Sequence, residues 1–217
     1  MVAGIIVLIL FLSHPNLNFI DIDNIPLLGL IISLSTFAST IVGCGFTVLF
    51  IKARRGASIR DYLGLQPITI KMILILFAIA LGFTVAESFI FYYADISTNQ
   101  EMLINAYNTS IWPPLFWMAT VLFAPLFEET FFRGFLFVGL QRSRIGIIGT
   151  LLITSIVWTF LHALQYGAYE LTVIFLMGIL LGMVRYRTGS LWSPMLMHAF
   201  WNLLATIGLA LTAKGVI

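Results

Sequence analysis

Seven apolar segments, at about 2–13, 26–51, 71–93, 111–140, 145–164, 170–184 and 191–212, follow one another with only short polar stretches between them. A bilayer span takes roughly 20 mostly apolar residues, and several of these runs reach that length. Charged residues make up 9% of the 217 and hydrophobic ones 60%, whereas an average soluble domain is about a quarter charged. No water-facing surface can be assembled from so few charges, so the outer face must meet lipid. The expected fold is all-α: a polytopic transmembrane bundle of about seven helices forming one integral membrane domain. Residues 1–110 supply the first three helices and their loops, and residues 111–217 the core that carries the polar motifs.

The charges agree with this path. With the N-terminus placed in the cytoplasm, the inner loops hold Lys52, Arg54, Arg55, Arg60, Lys71, Arg142, Arg144, Arg185 and Arg187, and the outer side keeps Lys214. That is the asymmetry of a multi-pass protein with its basic loops inside, and a prokaryotic plasma membrane is the expected location. Residues 2–13 lack the charged start and small-residue cleavage site of a secretory leader, and His14 and Pro15 cut them short. They are expected to be retained as a truncated, tilted or interfacial helix. A lone cysteine, Cys44, rules out an intramolecular disulfide framework and a thiolate metal cluster. The net charge of +2 describes membrane orientation, and no nucleic-acid partner is expected.

Several ionisable residues interrupt the apolar runs. Glu87 lies in the third, adjacent Glu128 and Glu129 in the fourth, His162 late in the fifth, and His198 in the last with Asn202 one turn beyond. A carboxylate at mid-bilayer costs several kcal/mol, so each needs a partner or a task. Arg133 follows Glu129 by four positions, which allows an ion pair within one helix, while Glu128 points about 100° away and is left free. Glu87 is expected to snorkel or to bond a neighbouring helix. A carboxylate and two imidazoles around one polar cavity can hold and deprotonate a water, directly or with a metal among them, and Asn202 adds a neutral donor suited to an oxyanion. The plainer alternatives are a structural ion pair and packing histidines. Gly178 and Gly182 form a small-xxx-small pair that lets a neighbouring helix approach.

The run Ala124-Pro125-Leu126-Phe127-Glu128-Glu129-Thr130-Phe131-Phe132-Arg133-Gly134 resembles the Glu-Glu-x-x-x-Arg motif of the CPBP family, also called the Abi or type II CAAX prenyl endopeptidase family. His198 and Asn202, led in by Arg187 to Pro194, resemble its last motif, His-x-x-x-Asn. The middle motif places an aromatic, usually Phe, four residues before a histidine; here Trp158 precedes His162, an enlarged aromatic wall.

The resemblance implies an intramembrane endopeptidase acting on membrane-associated, prenylated, pheromone-like or bacteriocin-like peptides. Glu128 would activate the water with help from His162, His198 and Asn202 would stabilise the oxyanion, and Glu129 with Arg133 would shape the site. The family is often labelled a metalloprotease family, so a divalent ion such as zinc held by Glu128, His162 and His198 is the candidate cofactor, beside a metal-free, glutamate-activated water. The partners implied are the bilayer and a peptide or lipidated protein substrate. Competing readings are a non-catalytic immunity or partner-binding protein on the same fold, and a proton-coupled transporter, against which the missing internal repeat stands.

Overall fold

A computed structural model describes residues 27–216 apart from 55, 57, 95, 97–100 and 164. Among the described residues it is all-helical: α1 (Leu28–Ala53), α2 (Ile59–Leu63), α3 (Ile70–Tyr93), α4 (Glu101–Asn108), α5 (Pro113–Gln141), α6 (Gly146–Phe160), α7 (Ala168–Thr188) and α8 (Trp192–Ala213). Five of these, α1, α3, α5, α7 and α8, are long and apolar enough to cross a membrane. The expected polytopic bundle is therefore present, with boundaries close to those of the apolar runs. The segment 2–13 lies outside the described residues. Two short helices, α2 and α4, stand where the sequence reads as connecting loops, and α6 stops at Phe160, short of the expected 164.

The helices are turned inside out relative to a soluble bundle. On α1 the buried face carries Ser33, Thr36, Thr40 and Thr47, while Ile41, Phe46, Leu49 and Phe50 point outward. Each of those hydroxyls returns its proton to the carbonyl four residues earlier, at 2.7–2.8 Å, so none enters the bilayer unbonded. Small polar groups at helical spacing then make a seam along which helices approach, since apolar side chains gain nothing by leaving lipid. The glycine pair on α7 acts in the same way. A Cβ on Gly178 would sit 3.0 Å from Ser155 Cβ and 3.1 Å from Trp158 Cε3, and one on Gly182 would sit 2.5 Å from Leu151 Cδ2. α6 thus lies directly against α7 at the height of Trp158.

The end of the bundle that carries the arginines is tied by Arg185. From α7 its Nε donates to the Arg133 carbonyl (3.0 Å), its Nη2 to the Leu63 carbonyl (3.1 Å), and its Nη1 to the Gly189 carbonyl. Gly64, at φ +66°, must be glycine here, because a Cβ would meet the Gly189 oxygen at 2.5 Å and the Arg185 guanidinium at 2.7 Å. One side chain joins α2, α5 and α7.

α5 is not a uniform α-helix. Residues Ala119–Phe123 and Thr130–Leu136 take the wider π form on either side of an α segment, Ala124–Glu129. Such widened turns shift the hydrogen-bond ladder and release carbonyls to other partners. In the i to i−5 pattern the Thr120 carbonyl would look to the N–H of residue 125, which is proline and has none. Asn202 on α8 supplies the missing donor, its Nδ2 lying 2.8 Å from the Thr120 oxygen. The Phe123 carbonyl, 2.9 Å from the Thr40 hydroxyl, shares that group's one proton with the Thr36 carbonyl, and the Arg133 carbonyl receives Arg185. The irregular helix is stitched to its neighbours at the carbonyls its irregularity frees.

Candidate active site

Between the two π segments, α5 presents Glu128 and Glu129 to α6 and α8. Glu129 is fully buried and so is Arg133. Arg133 Nη1 donates to Glu129 Oε1 at 2.9 Å, the pair expected from their spacing, and Nη2 donates to the Gly178 carbonyl at 3.0 Å. The missing side chain at Gly178 lets the guanidinium and α7 meet. Its plane also lies over the Trp158 ring, 4.7 Å from the centroid, an arrangement that attracts a cation to an aromatic face.

Glu129 Oε1 has a second partner, His198 Nδ1, at 2.9 Å. A carboxylate oxygen only accepts, so Nδ1 carries the proton in this bond and Nε2 is the nitrogen turned elsewhere. It faces Glu128 Oε2 at 4.0 Å. That gap is too long for a direct hydrogen bond, and it is about what one water spans when it touches both groups from the side.

Glu128 is not free, as its direction on the helix suggested. Trp158 Nε1 donates to its Oε2 at 2.7 Å. The 100° offset that takes Glu128 away from Arg133 points it at α6, and the reach of an indole closes the distance. His162, one turn after Trp158, sets its Nδ1 2.7 Å from the Trp158 carbonyl. A carbonyl also only accepts, so this histidine likewise holds its proton on Nδ1 and leaves Nε2 as a lone pair. The Trp158 ring stands edge-on to both imidazoles, 5.2 Å from His162 and 5.3 Å from His198. All six residues singled out in the sequence are therefore in one neighbourhood, with Asn202 on the same face of α8 as His198 but committing one amide proton to Thr120. The second N–H of that amide is the one a substrate could use.

Glu128, His162 and His198 are the candidate trio for a zinc ion. Among the described residues no three His, Cys, Asp or Glu side chains come together in a group that could hold a metal ion. Glu128 Oε2 accepts from an indole, and the Nδ1 atoms of His162 and His198 are bonded to a carbonyl and to Glu129, which leaves their Nε2 atoms open.

Glu87 makes the inter-helix bond foreseen for it, accepting from Trp201 Nε1 at 3.3 Å, while its carbonyl receives the Tyr169 hydroxyl at 2.6 Å. Trp201 in turn lies 6.2 Å from His198. What sequence reasoning missed is the donor role of Trp158 and the pairing of Thr120 with Asn202. The proline at 125, inside an otherwise helical run, was the available sign that a carbonyl there would need an outside partner.

A family model described as type II CAAX prenyl endopeptidase Rce1-like matches residues 110–204. A protein of Escherichia coli described as an uncharacterized 24.3 kDa protein is 38% identical over 77 residues, which is 35% of this chain and 35% of that one. The chain thus matches about a third of that relative's length. No solved structure matches. Residues 110–204, which contain Thr120, Glu128, Glu129, Arg133, Trp158, His162, His198 and Asn202, are thus the part of the chain that is similar to the Rce1-like type II CAAX prenyl endopeptidases.

Proposed function

We propose that this chain is an intramembrane endopeptidase that hydrolyses peptide bonds of membrane-associated peptides or proteins with a water activated by Glu128. The observation that carries the reading is the 4.0 Å opening between Glu128 Oε2 and His198 Nε2, with the far nitrogen of His198 anchored on Glu129. A water there touches a carboxylate that can take its proton. Glu128 removes the proton as the water oxygen attacks the scissile carbonyl, and the same carboxyl later gives it to the departing amine. His162, with a lone pair on Nε2, is the helper that accepts from the water.

The carbonyl oxygen that becomes negative needs donors placed in advance. His198 meets this need when it carries protons on both nitrogens, donating from Nε2 to the oxyanion while Nδ1 stays on Glu129. Charges then balance inside the bundle: two carboxylates against one guanidinium and one imidazolium. The free N–H of Asn202 is the second donor. Glu129 and Arg133 do no chemistry themselves and keep His198 and the helix in register.

The substrates that fit are peptides reaching the site from the bilayer, whether prenylated at a C-terminal cysteine or of the pheromone or bacteriocin type. The test compares membranes from cells making wild-type protein and Glu128→Gln by proteomics of peptide termini, with cleavage of any peptide found then followed in detergent using purified protein. Termini that appear only with the wild type support the reading. Equal cleavage by Glu128→Gln, in protein that unfolds at an unchanged temperature, sinks it.

A further inference from the structure

The family pattern places a phenylalanine where this chain has Trp158, and the difference between the two side chains that matters is one N–H. In this structure that N–H points at the carboxylate proposed as the base, 2.7 Å from Glu128 Oε2. We propose that Trp158 is the positioning residue of the base: its indole takes one lone pair of Glu128 Oε2 and so fixes the carboxylate beside the opening that faces His198 Nε2, while its main-chain carbonyl fixes the tautomer of His162. The proposal rests on the endopeptidase reading above.

Indole suits this position for a chemical reason. Its nitrogen donates and cannot accept, and it does not ionise at ordinary pH. A lysine or arginine in its place would orient the carboxylate but neutralise the charge that attacks the water. A histidine could trade protons with it. Trp158 orients Glu128 and leaves it a base.

The ring is also unable to turn away. It is among the most deeply buried large side chains, at 1% exposure. The Arg133 guanidinium covers its face at 4.7 Å, and the edges of His162 and His198 close in at 5.2 and 5.3 Å. Room for the larger ring comes from α7, where Gly178 lies opposite; any Cβ there would press on Trp158 Cε3 at 3.1 Å. Tryptophan and glycine are matched across the α6–α7 contact. The same glycine offers its carbonyl to Arg133, so the indole, the guanidinium and α7 are locked as one unit.

Two variants separate the N–H from the ring. Trp158→Phe removes the donor and part of the ring, and site-specific replacement of Trp158 by benzothienylalanine keeps the ring and exchanges N–H for sulfur. Loss of one bond to a charged acceptor predicts that both lower kcat by roughly 10- to 100-fold, with KM unchanged within about twofold. The benzothienyl variant keeps the ring and should still unfold in one cooperative transition, which separates a loss of kcat from misfolding. Wild-type kcat in that variant overturns the proposal, as does a raised KM with kcat intact, which would make the ring a wall for substrate. The two failures are distinguishable. Cleavage that survives Glu128→Gln overturns the endopeptidase reading and the Trp158 role with it, whereas cleavage lost in Glu128→Gln but intact in the benzothienyl variant overturns the Trp158 proposal alone.

Discussion

Arg133 has no exposure to solvent, and its three anchors are of three kinds: the Glu129 carboxylate, the Gly178 carbonyl and the Trp158 ring face. Removing one partner of a buried ion pair leaves the other charge uncompensated, at a cost of about 3–5 kcal/mol. Arg133→Leu should therefore lower the unfolding temperature in detergent by many degrees. Arg133→Lys should recover little, because one ammonium cannot fork between a carboxylate and a carbonyl on another helix. A lysine variant as stable as the wild type would mean that charge alone suffices. Glu129, Arg133 and their spacing were legible in the sequence because an i, i+4 pair is a property of one helix. The partner of Glu128 was not, since it depends on how α6 is set beside α5, and no local spacing encodes that.

At the scale of elements, the two π segments of α5 and the glycines of α7 carry the geometry. Pro125→Ala returns an N–H to the helix, which competes with Asn202 for the Thr120 carbonyl. The expected result is unchanged or higher thermal stability with reduced cleavage, since the helix closes up around the glutamates. Asn202→Ala alone leaves that carbonyl without its donor and should cost about 1–3 kcal/mol. Combined with Pro125→Ala the cost should shrink, a non-additivity that a double-mutant cycle in unfolding free energy would measure; strict additivity would contradict the pairing.

The glycines differ from each other. Gly178→Ala meets Ser155 and Trp158 together at 3.0–3.1 Å, whereas the one crowded contact of Gly182→Ala is with the mobile end of Leu151, Phe137 being at an ordinary 3.7 Å. Overpacking costs about 1–3 kcal/mol where neighbours cannot yield, so Gly178→Ala should lose more stability and more activity than Gly182→Ala. The reverse order, read from the same melts and assays, would count against the locked Trp158 ring. Hydrophobic runs located α1, α3, α5, α7 and α8 to within a few residues, because lipid acts on every turn of a spanning helix. The π turns escaped notice, since they arise from packing and from one proline.

For the whole molecule, all ends rich in arginine fall on one side: the C-terminus of α1, the α5–α6 turn and the C-terminus of α7. If that side is cytoplasmic, then in a Cys44→Ala background Arg142→Cys should react with an impermeant thiol reagent only after the cells are opened, and Lys214→Cys should react in intact cells. Labelling of both from outside would refute the orientation.

α6 has 15 residues, which at 1.5 Å each is about 22 Å, against a hydrocarbon core about 30 Å thick. A helix that begins at the arginine side and ends so early leaves its last turn, and the turn with His162 after it, below the far surface of the bilayer. Polypeptide without helical bonding survives at such depth only where it borders protein or water. If the proposed hydrolysis takes place here, this shortfall of about 8 Å, roughly one and a half turns, is the way by which water, the one reactant that oil does not contain, would reach Glu128 from the opposite face.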